Sequence, residues 1–347
     1  MTTDSETACE RPVVTTLNPI RILVSLAAGW LLAVSSVPAA AQQPKLLRSM
    51  GVKEGANYRF DSMAFSPDGK KLACSHYGSI RVYSPTSGKE ISRTDVAPAA
   101  AGNLHLAYTP DGKSLISMGA GTITVWNAAS NKKIREMDCG GGHGFALRPD
   151  GKGLAAIHHE KVEIWNPETG QKVTTLEPLF SPTVLVYTPD GKRLAIAGGT
   201  VLEFWDVDQR KELQSFPSLD LTVVSLAFRP DGKKLALGGQ GQKLEHTVDV
   251  LDLAGWETTR LFEERVETNG GWISGLAYTP QGKTLFTFGG VDKLALRDAE
   301  TGKVLASLEA PARPWDAGKA QTTLVLTAKG DILAACGDQV RVWSVRP

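Results

Sequence analysis

Neither sign of charge is in excess in this chain. Lys and Arg number 38 against 37 Asp and Glu, a formal net charge of +1, and no block of like charges stands out. Proteins that grip nucleic acid through its phosphates carry a basic excess or stripe. That class is therefore disfavoured, and so is a charged interaction tail. Cysteine is scarce, with 4 in 347 residues. Setting Cys9 aside with the N-terminal segment leaves Cys74, Cys139 and Cys336, an odd number that makes no disulfide framework. Cys74 and Cys336 sit in apolar runs (KLACS, LAACG) and read as small buried hydrophobes. Cys139, in MDCGGGHG, is the one cysteine with a reactive alternative. The motifs GxGxxG, GxxxxGK[ST], HExxH, GxSxG and CxxC are all missing from residues 42–347. The chain thus reads as a non-enzyme, with no catalytic residue, cofactor or metal expected. What is present is an ordinary globular balance, 42% hydrophobic and 22% charged, with 35 glycines and 19 prolines. Glycine at about a tenth exceeds the usual value of roughly 7%. Such a chain turns often, which disfavours long helices.

Residues 1–41 differ from the rest. Arg21 precedes the uncharged run ILVSLAAGWLLAVSSV, Ile22 to Val37, and Pro38-Ala39-Ala40-Ala41 follows. A basic flank, an apolar core and an A-x-A ending are the parts of a secretory signal peptide, with cleavage expected after Ala41. An uncleaved membrane anchor is the alternative, because 22–41 is close to the ~20 residues that span a bilayer. On either reading residues 42–347 are exported, to the periplasm or the medium.

Length alone suggests about two domains of roughly 150 residues, but internal repeats overrule it. SPDGKKLAC, TPDGKSLIS, RPDGKGLAA, TPDGKRLAI, RPDGKKLAL, TPQGKTLFT and TAKGDILAA recur along the chain. Their glycines, 69, 112, 151, 191, 232, 282 and 330, are spaced by 43, 39, 40, 41, 50 and 48 residues. A period in the forties with only strand-like segments between turns is the signature of propeller blades. Proline presets φ at the first corner of six of the seven turns, and glycine takes the left-handed conformation that lets the second strand depart. A second signal follows each glycine: IRVYS, ITVWN, VEIWN, EFWD, VDVLD, LALRD and VRVWS. Most alternate polar with apolar residues, as half-buried strands do. One slot within them holds Tyr83, Trp126, Trp165, Trp205 and Trp343, but Leu251 and Arg297 in the fifth and sixth repeats.

These hairpins, the aromatic slot and the trailing TSGKE, ETGQK and ETGKV turns resemble the WD-repeat family, in a bacterial-type exported member. The resemblance covers about residues 44–347 and implies an all-β, seven-bladed propeller of four-stranded antiparallel blades. Two family features are thin. Gly142-His143 is the one look-alike of its Gly-His pair and lies too close to its hairpin. Asp292 and Asp338 are the only candidates for its buried aspartate. The last repeat ends at its third strand, while Lys45–Met50 (KLLRSM) resembles the missing outer strand. An N-terminal strand completing the last blade would close the ring and remove two sheet edges. Residues 42–347 are thus expected to form a single domain.

The PDGK hairpins then share one face of the disc, and the turns between second and third strands and the links between blades share the other. Extensions fall on the second face: about five residues within Gln240–His246, the link with Glu263-Glu264-Arg265, and the link 310–321. His76, His143, His158 and His246 are placed there too, as are Trp272 and Trp315, two tryptophans outside the repeated slot. With Arg59 at the start of a first strand, these are the candidate partner-binding residues. Metal binding by the histidines is disfavoured, because they come from separate blades around a wide ring. Exposed tryptophan suits an interaction hot spot. The favoured function is a monomeric interaction scaffold, exported and binding a protein or peptide, with neither nucleic acid nor membrane as partner. The alternative is a lactonase-like or quinoprotein-like propeller using its central channel. It would need convergent groups among Tyr58, Arg59, Asp61, His105, His143 and Trp272.

Overall fold

The computed structural model describes residues 43–50, 60–76, 78–96, 104–141, 144–243, 245–264, 272–289, 293–309, 324–336 and 339–345. They form twenty-eight strands in seven four-stranded antiparallel sheets, the blades of a β-propeller, with no helix among the described residues. Blades one to six each run in chain order from the innermost strand outward. Residues 1–41, read from the sequence as a signal peptide or anchor, lie outside the described residues.

Turn chemistry starts each blade. All seven hairpin glycines have φ between +69° and +75°, a region that side chains enter only with strain. Each glycine N–H donates to the carbonyl three residues back, as Gly69 does to Ser66 at 2.8 Å. The aspartate stiffens the corner: Asp68 Oδ1 accepts from the Ser66 hydroxyl at 2.6 Å and the Lys70 N–H at 3.0 Å. Those donors hold the Asp68 carboxyl below its ordinary value, the Ser66 hydroxyl most strongly. The PDG motif is therefore structural.

Burial falls from the centre of each blade outward. In blade one the second strand (Leu72–His76) is wholly buried, whereas the outer strand (Glu90–Asp95) is mostly exposed. Inner strands are covered on both sheet faces by neighbouring blades, and each Val, Leu or Ile so buried contributes roughly 1.5–3 kcal/mol. One core cluster joins Ala73 and Val82 of blade one to Leu106, Leu115 and Trp126 of blade two. Hydroxyls stitch the innermost strands together: Ser62 Oγ accepts from the Leu106 N–H at 3.1 Å, and Ser225 Oγ donates to the Ile273 carbonyl at 2.6 Å.

The ring closes as the sequence implies. Lys45–Met50 pairs antiparallel with Val340–Ser344 and becomes the outer strand of blade seven. Outer strands are exposed edges, and a repeated irregularity blunts them. Opposite the aromatic slot, six of them bulge, at half-buried Leu47 and at Ile91, Ile134, Val173, Leu213 and Leu305, which are exposed. A bulge twists an edge away from pairing with another chain.

Two sequence readings change. The five added residues of the fifth repeat are not a loose insertion. They lengthen its hairpin, so that Lys234–Gly241 and His246–Asp252 pair as far as Gln240 opposite His246. Likewise Glu263 and Glu264 belong to the outer strand (Glu257–Glu264), not to the following link. Blade five is thereby raised on the face opposite the PDGK hairpins.

Candidate functional site: the face opposite the PDGK hairpins

Trp272 is exposed at 36% of its surface and immediately precedes the first strand of blade six (Ile273–Tyr278). The backbone beneath it is tightly held. Ile273 is buried, and its carbonyl accepts from Ser225 of blade five. Gly289 lies so near that an added Cβ would stand 2.5 Å from the Trp272 carbonyl oxygen. An exposed indole on a fixed backbone therefore stands beside the raised fifth blade.

The histidines behave differently from one another. His76 is buried and its ring lies 5.1 Å from that of Phe60. Burial, and then Arg81 and Arg93, lowers its pKa. His246 is also buried, at the end of the raised hairpin. Neither offers an exposed ring to a partner. His158 is partly exposed, and its Nδ1 lies 3.3 Å from Glu163 Oε1, which also receives Lys172 Nζ at 2.9 Å. Burial would lift the Glu163 carboxyl, but Lys172 and His158 outweigh it and hold it below its ordinary value. Arg59, His143 and Trp315 lie outside the described residues, as do Tyr58, Asp292 and Asp338. Of the first-strand groups named for the channel, Asp61, His105 and Trp272 are described. Among the described residues no group of three His, Cys, Asp or Glu is placed to hold a metal ion. The Cys139 thiol is buried, donates to the Gly121 carbonyl at 3.0 Å, and is pushed up to about 11, chiefly by burial. That suits a structural thiol and not a nucleophile.

One surface residue escaped the sequence reading. Leu179, in the link between blades three and four, is 90% exposed. Its N–H donates to Oε1 of buried Glu203 at 3.4 Å, and Trp205 Nε1 donates to the other oxygen at 2.8 Å. Burial raises the Glu203 pKa. The available signal was the bracket Pro178…Pro182, which stiffens a link and leaves its apolar tip outward. Arg297 also takes on new meaning. In the aromatic slot of blade six its guanidinium lies 3.7 Å from the Phe262 ring centre and pairs with Glu264, both of blade five. A flat cation here replaces the flat indole and ties the raised blade to its neighbour.

On the PDGK face an open groove of about 410 Å³ runs between blades five and six, lined by Arg229, Asp231, Pro280, Lys283, Asp298 and Glu300. Its charges are largely spent on each other: Arg229 meets Asp231 at 2.8 Å and Glu300 at 2.7 Å, and Lys234 meets Glu300 at 2.6 Å.

The architecture defines the class: a seven-bladed β-propeller with repeat hairpins and no helix among its described residues. The family model described as "WD domain, G-beta repeat" matches residues 54–84, which take in the first PDGK hairpin and the third strand of blade one. Together with the seven blades, that match supports a WD-repeat propeller. Propellers of this kind are commonly protein-interaction scaffolds. No curated protein matches the chain.

Proposed function

We propose that this protein is a non-enzymatic interaction scaffold, exported by its N-terminal segment, that binds a protein or peptide on the face opposite the PDGK hairpins. The observation that carries the reading is Trp272, exposed on a backbone tied to blade five and standing beside the raised blade. Rigid, exposed tryptophans contribute strongly to binding at low entropic cost. Leu179 presents a second apolar tip on the same face. Export rests on Arg21, the uncharged run to Val37 and the Ala39-Ala40-Ala41 ending. The test is affinity capture of a partner, followed by titration of purified components. Trp272→Ala should weaken binding at least tenfold with an unchanged melting temperature, while Lys283→Ala on the PDGK face should not. Equal affinity for Trp272→Ala and the parent, or loss of binding in Lys283→Ala alone, would place the site elsewhere.

A further inference from the structure

Cys74 and Cys336 meet where the ring closes. Cys74 lies in the second strand of blade one (Leu72–His76), and Cys336 ends the second strand of blade seven (Ile332–Cys336). The Ser75 hydroxyl accepts from the N–H of Ser62 in its own blade, and the Ser62 hydroxyl accepts in turn from the Leu106 N–H of blade two, so Ser75 lies on the side of the sheet that faces blade two. Alternation along the strand sends Cys74 the opposite way, toward blade seven. Both cysteines belong to one core cluster with Met50 and Met63, at 0%, 1%, 7% and 2% exposure in that order. Met63 is the cross-strand partner of Cys74, and Met50 comes from the closing strand, opposite Val340. Of the seven sulfur side chains among the described residues, four are gathered at this seam.

Spacing decides what the two cysteines can do. Facing sheets stand about 10 Å apart, whereas a disulfide needs Cα atoms about 4.4–6.8 Å apart. Cys74 and Cys336 carry thiols and form no disulfide. An ion between the sulfurs lengthens their separation from about 2 Å to about 4.6 Å, at about 2.3 Å per metal–sulfur bond. The span then approaches the sheet spacing. Donor type selects the ion: thiolate and thioether sulfurs favour soft cations, Cu(I) above all. Both thiols lie within the core, and the Cys336 thiol reaches across the seam to donate to the Phe60 carbonyl of blade one at 3.5 Å. So apolar a core accepts a neutral complex and excludes a doubly ionised pair. A monovalent cation with one thiolate is neutral: Cys–SH and M⁺ give Cys–S–M and H⁺, with the second sulfur a neutral donor and no electron transferred.

We propose that Cys74 and Cys336, flanked by the thioethers of Met50 and Met63, form a site for one soft monovalent cation of the Cu(I) or Ag(I) type at the seam of the ring. Because its donors come from blade one, blade seven and the closing strand, the ion would clasp the closure. The site lies in the core and is independent of the partner-binding face. The test is Ag(I) titration of the full chain carrying Cys9→Ala, which removes the cysteine of the N-terminal segment, followed by native mass spectrometry and thermal melting. One ion per chain and a melting temperature raised by several degrees are expected. Cys74→Ala and Cys336→Ala should each abolish both effects, and Cys139→Ala should retain them. In the unmodified chain, under partially unfolding conditions, Ag(I) should protect Cys74 and Cys336 from alkylation but not Cys139. The proposal is overturned by no bound ion at stoichiometric Ag(I), by binding that survives the double cysteine variant, by loss in Cys139→Ala, or by alkylation indifferent to Ag(I).

Discussion

Ring closure can be tested with two neighbouring prolines of opposite expected effect. Val345 N–H donates to the Asp331 carbonyl, so at Trp343 and Arg341 the backbone faces the second strand of blade seven. Alternation then turns Ser344, Val342 and Val340 toward the closing strand. Their partners are Lys45, Arg48 and Met50, whereas Ser49 pairs with Arg341 and points its N–H outward. Arg48→Pro removes a ladder donor and leaves its acceptor unpaired, which should cost about 1–3 kcal/mol. Ser49→Pro removes a donor that faces away from the sheet, a placement edge strands tolerate. At about 2–4 °C per kcal/mol, Arg48→Pro should lower the melting temperature by roughly 2–12 °C. Met50, 7% exposed, provides an independent arm, because truncating a buried Met to Ala costs about 2–5 kcal/mol. Thermal unfolding followed by circular dichroism reads all three variants. If Arg48→Pro melts like the parent, or Ser49→Pro is as damaging as Arg48→Pro, the assigned pairing is wrong.

Two glycine substitutions separate local strain from packing between blades. Gly112 has φ +70° and open surroundings, with Pro67 Cδ 3.5 Å from an added Cβ, so Gly112→Ala should cost only the left-handed strain of about 1–2 kcal/mol. Gly330 has φ +71°, but its added Cβ would stand 2.4 Å from Pro280 Cδ of the adjoining blade; Gly330→Ala should add about 1–3 kcal/mol of overpacking. Urea midpoints should rank the two in that order, and the reverse order would refute the packing. Acid should also loosen the blades. Asp68, Asp111, Asp190 and Asp231 are held below the ordinary 3.8, chiefly by the Ser66 hydroxyl, the Lys113 N–H, the Thr188 hydroxyl and Arg229 in turn. Depressed carboxyls contribute stability that is present above pH 4 and lost as pH falls through their folded values. Buried Glu203, raised by desolvation, acts in the opposite sense. Melting temperature should therefore fall from pH 5 to pH 3, and Asp68→Asn should flatten that fall. An unchanged slope in Asp68→Asn would remove the turn aspartates as its source.

The sequence by itself determined the blades. A turn with a left-handed glycine in all seven copies, proline at its first corner in six and Ser or Thr before that corner in five is local chemistry, written within six residues. Ring closure was legible for a related reason: a last repeat short of one strand and a surplus KLLRSM at the other end leave one economical pairing. Side-chain surroundings were not legible. His76 and His246 looked like exposed tips because polar type says nothing of depth; packing against Phe60, and a hairpin that continues as sheet, put both inside. The five added residues of the fifth repeat could be counted but not shaped, since a loop and a longer strand pair have the same length and differ only in cross-strand bonding. The contacts of Arg297 in the aromatic slot and the sulfur cluster at the seam came from tertiary structure alone. Each depends on residues from different blades, tens to hundreds of positions apart, and only the closed ring decides which of them meet.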